Sequence, residues 1–479
     1  MPPDLLLSPQ DWEQTPLPVQ AVVILLWQEN QALKQQVATL QTEVAKLREQ
    51  VTRNSRNSSK PPSSDPPQKR NYPKPEPSGQ KPGGQPGHSG RGRKLQPTEQ
   101  VSRVVVSKPV ICQACGALLV GEDIHPQRHQ VSELPRIEPV IVEYQRHTLT
   151  CRACGVQNQS EWPAEMPVGS FGERLQATIG YLSGRFGISQ RDIEEMLETM
   201  FHVEISLGSI PAQEQCVSRA IEQPVAEAEQ YVQQQSVVNL DETSWQQWTK
   251  NFWLWVCTTP IVTVFRLFQT RGADGKAQLL GADYPGIVGS DRYSAYNNLD
   301  PDHRQVCWSH LKRDFQALVE RGGESQTIGR LLLAQVAQIF RLWYQVRDGT
   351  LARVDFQTAM QPIRQEVSAL LHIGTFVKHA ATRHTCQNIL KVEPALWTFA
   401  DQEGVEPTNN AAERALRRGV IWRRRSFGTQ SENGSRFVER ILTVVTTLRQ
   451  QKRDALDFLT KACQARTLGI PPPSLLPVV

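Results

Sequence analysis

The sequence predicts a mixed α/β core that is preceded by N-terminal modules and interrupted by an all-helical insertion. Three observations carry this. Short apolar and alternating runs cluster between residues 235 and 320. Stretches of helical periodicity fill residues 321–405. Upstream, heptads give way to a Pro- and Gly-rich basic stretch and then to paired cysteines. The expected parts are an N-terminal helix or coiled coil (1–53), a disordered basic linker (54–100) and a zinc-binding module (101–168). A helical DNA-binding segment (169–234) leads into the first part of the core (235–320). The helical insertion (321–405), the rest of the core (406–450) and a C-terminal tail (451–479) complete the chain.

The composition, 39% apolar and 21% charged over 479 residues, is that of a folded chain with a sizeable core. No apolar run reaches the length of a membrane span; the longest, around "AVVILLW", is far too short. The start, "MPPDLLLSPQDWEQ", lacks the basic region of a signal peptide, so a cytoplasmic location is expected. Nine cysteines without a secretory signal argue against a disulfide scaffold. The net charge of +5 is modest but uneven. "KLREQVTRNSRNSSKPPSSDPPQKR" and "RALRRGVIWRRR" are strongly basic, the electrostatic footprint of a nucleic-acid partner.

In the first helix Leu26, Leu33, Leu40 and Leu47 recur every seven residues, with Asn30, Val37, Val44 and Val51 in the alternate seam. Leu at d and Val at a favour a parallel two-stranded coiled coil, and Asn30 at an a position would fix its register. A homodimer or higher assembly is therefore expected. The linker that follows has too little apolar surface to order itself.

Cys112 and Cys115 form one C-x-x-C pair, and Cys151 and Cys154 form a second after 35 intervening residues. Each pair is followed by Gly, which suits the turn of a zinc knuckle. Four thiolates supply a closed tetrahedral site for one structural Zn²⁺. A redox pair is the alternative, but such motifs come singly. Residues 171–232 then read as helices, with a break at "HVEISLG" and a second helix opened by Ser209. The pattern resembles a helix-turn-helix; ordinary helical packing is the alternative.

At "SVVNLDET" the period switches to two, and a strand is expected to end at Asp241. "NFWLWVCTT" and "IVTVFRLFQ" read as a hairpin, "DGKAQLLGAD" as a short helix and "GIVGSDRYSAY" as a strand ending at Asp291. "HRQVCWSHLKRDFQAL" reads as a strand running into a basic helix. This order is that of a ribonuclease-H-like fold, in which the first and fourth strands adjoin. Asp241 and Asp291 would then converge, at a cost unless a cation lies between them. Oxygen ligands suit Mg²⁺ or Mn²⁺, and a pair of ions is the arrangement that phosphodiester chemistry uses.

A further acid is needed, and Glu242, Asp283, Asp300, Asp302, Asp314, Glu406 and Glu413 are candidates. "EPTNNAAERALRR" favours Glu413, placed on a helix among Arg414, Arg417 and Arg418. A salt-bridged surface helix is the alternative. Lys312 and Arg313 are read as DNA contacts. Trp422 amid Arg423, Arg424 and Arg425 suits base stacking or phosphate clamping, or else a core position. Cys307 and His310 have metal-ligand spacing, though a single pair is weak evidence.

Together "NLDET", "GSDRYSAY", "CWSHLKRDF", "NNAAERALR", "SFGTQSENGSRFVERILTV" and the linker's "NSSKPPSSD" and "GGQPGH" resemble the insertion sequence 66 family of transposases. The resemblance follows the order of parts over nearly the whole chain. It implies a DDE triad of Asp241, Asp291 and Glu413, with two Mg²⁺ or Mn²⁺ per active site. It also implies binding of terminal inverted repeats and target DNA, metal-dependent strand cleavage and strand transfer, and accessory proteins from the same element. A transposase-derived DNA-binding protein without cleavage and a ribonuclease-H-like nuclease are the alternatives.

Overall fold

A computed structural model describes residues 8–52, 58–59, 94–163, 166 and 169–477. Most of the expected linker, residues 60–93, lies outside the described residues. The chain divides into two units. One comprises Met1–Pro66, Val142–Met196 and Glu204–Val479; the other comprises Pro67–Ile141 and Leu197–Val203. Among the described residues, no helix is long and apolar enough to cross a membrane.

A short helix α1 (Pro9–Gln14) precedes α2 (Leu17–Thr52). Along α2 the heptad residues Leu26, Leu33, Val37, Leu40, Val44 and Leu47 are all exposed. A 36-residue helix gains little from propensity alone, so an unpartnered apolar stripe of this length is unusual.

The two cysteine pairs adopt the same turn, each within its own unit. Cys112 N–H donates to the Ala117 carbonyl, and Gly116 N–H to that of Cys112, at 2.8 and 2.9 Å. Cys151 and Gly155 repeat the pattern with Val156 and Cys151. Gly116 and Gly155 take φ of 77° and 74°, a left-handed turn that a side chain would strain. Around the second turn, β1 (Thr148–Thr150) and β2 (Gln157–Gln159) form an antiparallel hairpin.

Four helices follow: α3 (Glu173–Tyr181), α4 (Gln190–Phe201), α5 (Ser209–Ala220) and α6 (Glu222–Gln233). The sheet is built from β3 (Val237–Gln247), β4 (Lys250–Thr258), β5 (Thr263–Phe268), β6 (Ile287–Ser290) and β7 (Arg304–Val306). Helix α7 (Ala273–Leu280) connects β5 to β6. The strand order is β5-β4-β3-β6-β7. The β3–β4 and β4–β5 pairs are antiparallel, and the β3–β6 and β6–β7 pairs are parallel. The first and fourth strands of the sheet are therefore neighbours. Between β6 and β7 the chain makes only short 3₁₀ turns.

Residues 308–401 are helical: α8 (Trp308–Glu320), α9 (Gly323–Arg347), α10 (Arg353–Gly374), α11 (Ala380–Leu390) and α12 (Thr398–Asp401). They share an apolar core of their own around Phe315, Leu332, Phe356 and Phe399. The chain ends with α13 (Asn410–Ser426), α14 (Glu432–Gln450) and α15 (Ala455–Leu468).

Two boundaries need correction. The expected DNA-binding segment, 169–234, is part of the core. α5 packs against α3, α14 and α15 and buries Ile210, Val217 and Ala220. Ala212 and Arg219 are its exposed residues, and Gln213, Gln215 and Cys216 are half-buried. Residues 451–479, expected as a tail, carry α15, whose Phe458 and Leu459 join the core beside Val238 and Leu240.

Edge strand β5 shows why α14 has its sequence. The outward amides of Thr263, Phe265 and Leu267 donate to side-chain oxygens of Thr447, Thr443 and Glu439 at 3.0, 2.9 and 2.6 Å. Four residues of helix rise about 6 Å, close to the roughly 6.6 Å of two strand residues. The i, i+4 spacing on α14 therefore matches alternate amides of β5 and closes the sheet edge.

Candidate active site

Asp241 lies in the middle of β3, not at its end as expected. The ladder with β4 runs on to Gln247↔Lys250, whereas parallel pairing with β6 stops at Asn239↔Gly289. Asp241 and Asp291 thus both stand just past the point where the paired strands part. Asp241 is half-buried, and its Oδ1 accepts only from the next amide, Glu242 N–H, at 2.9 Å. Asp291 Oδ1 accepts from Tyr293 N–H at 2.9 Å. Among the described residues, neither aspartate enters an ion pair.

Glu413 sits in the first turn of α13. Its Oε1 is 3.5 Å from His310 Nδ1 and 3.9 Å from an Arg313 nitrogen. Burial pushes the Asp241 carboxyl well above the usual carboxylate range, and the negative charges of Glu242, Asp291 and Glu413 push it further. The charges of Asp291 and Glu413 are thus felt at Asp241.

What draws them together is a set of contacts that sequence reasoning missed. Asn409, the N-cap of α13, does not cap its own helix. Its Nδ2 donates to the Leu240 carbonyl, next to Asp241, at 2.6 Å. Its backbone amide donates to Cys307 Sγ at 3.2 Å, and Trp308 N–H donates to the Pro407 carbonyl at 2.9 Å. β3, the start of α8 and the start of α13 are thus laced together. Gly419 lets α13 lie close on the sheet, since a Cβ there would fall 2.3 Å from Leu254 Cδ2.

Two more buried groups support the acids. Arg304, 1% exposed, donates to the carbonyls of Tyr296 and Asp291 at 3.0 and 2.7 Å and to Ser290 Oγ at 3.2 Å, fixing the loop that carries Asp291. Burial pulls its guanidinium down to about 10. Glu242 points away from Asp241 along the strand. It accepts from Tyr296 Oη at 2.6 Å and Arg271 Nε at 3.0 Å. Sequence alone could not tell this structural acid from its catalytic-looking neighbour.

Buried polar atoms without a hydrogen-bond partner test whether the site suits a cation. Glu413 Oε1, His310 Nδ1 and Asn409 Oδ1 are such atoms. The oxygens among them, on Glu413 and Asn409, together with the carboxylates of Asp241 and Asp291, are of the kind a hard divalent ion takes.

The basic residues divide. Arg414, Arg417 and Arg418 line a groove of about 1050 Å³, together with Arg185, Asn239 and Arg449. Asn239 stands two residues before Asp241 on β3, but none of the three acids lines the groove. Lys312 is exposed on α8. Arg423 is bonded to Thr243 Oγ1 at 3.0 Å and the Ser244 carbonyl at 2.6 Å. Arg425 donates to the carbonyls of Phe186 and Gly187 at 3.1 and 3.2 Å, at the end of a π-helical turn. Arg424 is exposed. Trp422 is half-buried and packs edge-on against Phe437. Cys112 and Cys151 are each held below the usual thiol range by backbone amides of their own turns.

Comparison with known proteins agrees with this architecture. A model described as "Family of unknown function (DUF6444)" matches residues 11–94. Two proteins of Sinorhizobium fredii (strain NBRC 101917 / NGR234), both described as uncharacterized, are similar to the chain. Protein y4qI is 28% identical over 252 residues, 47% of this chain and 45% of its own length. Protein y4hP is 26% identical over 400 residues, 74% of this chain and 70% of its own. The chain thus spans less than half of one relative and about 70% of the other. The model of the Transposase IS66 family matches residues 168–436, which contain the whole sheet, the helical region and α13. With more than half of its length matched in this way, the chain belongs to the IS66 family of transposases.

Proposed function

We propose that this transposase cleaves and joins DNA strands at the ends of its own insertion sequence, with Asp241, Asp291 and Glu413 as its DDE triad. The observation that carries the reading is the placement of these acids. Asp241 is on β3, Asp291 directly follows the neighbouring parallel strand β6, and Glu413 is on a helix tied to β3 through Asn409. The sheet order, with three antiparallel strands followed by two parallel ones, supports a ribonuclease-H-like core.

Asp241, Asp291 and Glu413 would hold two Mg²⁺ or Mn²⁺. Such ions, when bound, activate an attacking oxygen and stabilise a leaving one. The chain's own part is placement. Asn409 and Arg304 fix the backbone beside two of the acids, and the helical packing holds α8 against α13. The groove lined by Arg414, Arg417 and Arg418 suits the phosphate backbone, where cationic side chains bind without reading sequence. Lys312, Arg313 and Arg424 would add phosphate contacts, Arg313 beside Glu413, and the bonds of Arg423 and Arg425 suit a bracing role. The exposed heptad stripe of α2 supports a homodimer. Each C-x-x-C-G turn, taken by itself, offers a pair of thiols suited to Zn²⁺, Cys112 with Cys115 and Cys151 with Cys154, with one thiol of each pair poised towards thiolate.

The test is incubation of the full chain with DNA from the flanks of its own gene, with and without Mn²⁺, and mapping of the nicks. Asp241→Asn, Asp291→Asn and Glu413→Gln should each abolish nicking and joining while DNA binding persists. Asp283→Asn and Asp302→Asn should stay active. A triad variant that cuts at near wild-type rate would remove that residue from the site.

A further inference from the structure

We propose that Cys307, His310 and Glu413 form a separate site for a thiophilic divalent ion of the Zn²⁺ class. We further propose that an ion there withdraws Glu413 from the two aspartates. The second half rests on the triad reading above; the first half does not.

The geometry points to such an ion. A sulfur, an imidazole nitrogen and a carboxylate oxygen of these residues all lie within 4.8 Å of one another. His310 Nδ1 and Glu413 Oε1 stand 3.5 Å apart, yet both are buried and neither has a hydrogen-bond partner. A proton donor meeting an acceptor would close to about 2.9 Å. The observed spacing is instead that of two ligands on one tetrahedral ion, where bonds of about 2.0–2.3 Å set neighbouring ligand atoms roughly 3.3–3.6 Å apart.

The donor set differs from that of the triad. Asp241 and Asp291 offer hard oxygens only. Cys307 offers sulfur, and a mixed S, N, O set selects Zn²⁺-like ions over Mg²⁺. The ligands are also held in place. Cys307 is buried at the N-cap of α8, and its sulfur accepts the Asn409 amide at 3.2 Å. His310 is one turn along α8, and Glu413 one turn into α13. Three protein ligands leave a fourth position open. Binding would release the Cys307 thiol proton to the buffer, with no change of oxidation state.

Because Glu413 cannot serve both sites fully, a thiophilic ion would act as a brake on a reaction that needs Mg²⁺ or Mn²⁺. This would tie strand cleavage to the supply of free zinc.

The experiment uses the full chain and Co²⁺ as the probe, because cobalt bound by thiolate has a charge-transfer absorption. Wild type, Cys307→Ser and His310→Ala are titrated side by side, with folding checked by circular dichroism. Any knuckle cysteine signal is common to all three and cancels in the differences. Wild type should bind one ion more than either variant, and Cys307→Ser should lose part of the charge-transfer band. Equal stoichiometry and equal spectra in all three would overturn the site. Zn²⁺ is then added to Mn²⁺-supported nicking, with each protein compared to its own uninhibited rate. Cys307→Ser should need about tenfold more Zn²⁺ for half inhibition. Equal sensitivity would overturn the brake. If wild type does not nick at all, the triad reading fails while the cobalt difference still decides the metal site.

Discussion

Asn409→Ala removes the tie between the third-acid helix and the strand that carries Asp241. Asn409 is 1% exposed, and its Nδ2 gives the Leu240 carbonyl a bond of 2.6 Å. The alanine variant leaves that carbonyl buried and unpaired, at a cost of about 1–3 kcal/mol. It also removes Asn409 Oδ1, itself buried and unpartnered, which returns part of that loss. The net expectation is about 1–2 kcal/mol of destabilisation. That corresponds to a fall of roughly 2–3 °C in melting temperature for a core of this size. The assay is a thermal or urea melt in EDTA, with metal-dependent nicking measured well below the transition. Activity should fall much further than stability, because Glu413 loses its register against Asp241, and a small misplacement of a reacting constellation is costly. Asn409→Asp should be worse on both counts, since it sets a carboxylate against a carbonyl. If Asn409→Ala melts within about 0.5 kcal/mol of wild type and nicks normally, this lacing is not what aligns the acids.

Asp241→Asn should stabilise the metal-free chain, and the gain should depend on pH. The folded-state carboxyl is raised by burial and by neighbouring acids, so its charge opposes folding once pH exceeds the ordinary carboxylate range. The advantage of the variant should therefore vanish in acid and grow as pH rises towards neutrality; a melting difference independent of pH would contradict this. Gly428→Ala should be severely destabilising, by more than about 3 kcal/mol. Gly428 has φ of +116°, and a Cβ there would lie 2.0 Å from the Gln246 carbonyl oxygen, so near-normal melting would refute the geometry. Deletion of residues 17–52 should leave a folded catalytic region that is mostly monomeric by light scattering at micromolar concentration. A persistent dimer would place the interface elsewhere.

Local pattern made much of this chain legible. The run "SVVNLDET" reads as a strand because Val238 and Leu240 alternate into the core. The Gly after each C-x-x-C predicts a tight turn, and Gly116 and Gly155 take the left-handed φ it needs. "EPTNNAAERALRR" reads as a helix opened at Pro407 and Thr408, and α13 begins just after, at Asn410. The misreadings have physical causes too. β3 was expected to stop at Asp241 because polar residues follow, but a strand paired with β4 continues through Thr243 and Ser244 without needing apolar side chains. α5 resembled a recognition helix by its spacing, yet that spacing also serves a helix buried among α3, α14 and α15. Nothing local separates Glu242 from Asp241. Only the fold brings Tyr296 and Arg271 to one of them and two further acids to the other.

The arrangement also explains why so much buried polar structure surrounds three carboxylates. Like charges held together oppose folding, so each acid must sit on backbone that cannot relax away. Arg304 makes three bonds around the Asp291 loop, Asn409 anchors Leu240 beside Asp241, and α13 can approach the sheet because residue 419 has no side chain. The one charged group among these, Arg304, binds the Asp291 carbonyl and not its carboxylate. A guanidinium paired with Asp241 or Asp291 would relieve the repulsion more simply, but it would occupy the carboxylate oxygens. Repulsion that is braced from behind and left uncancelled in front favours a site that waits for cations over a structural ion-pair cluster.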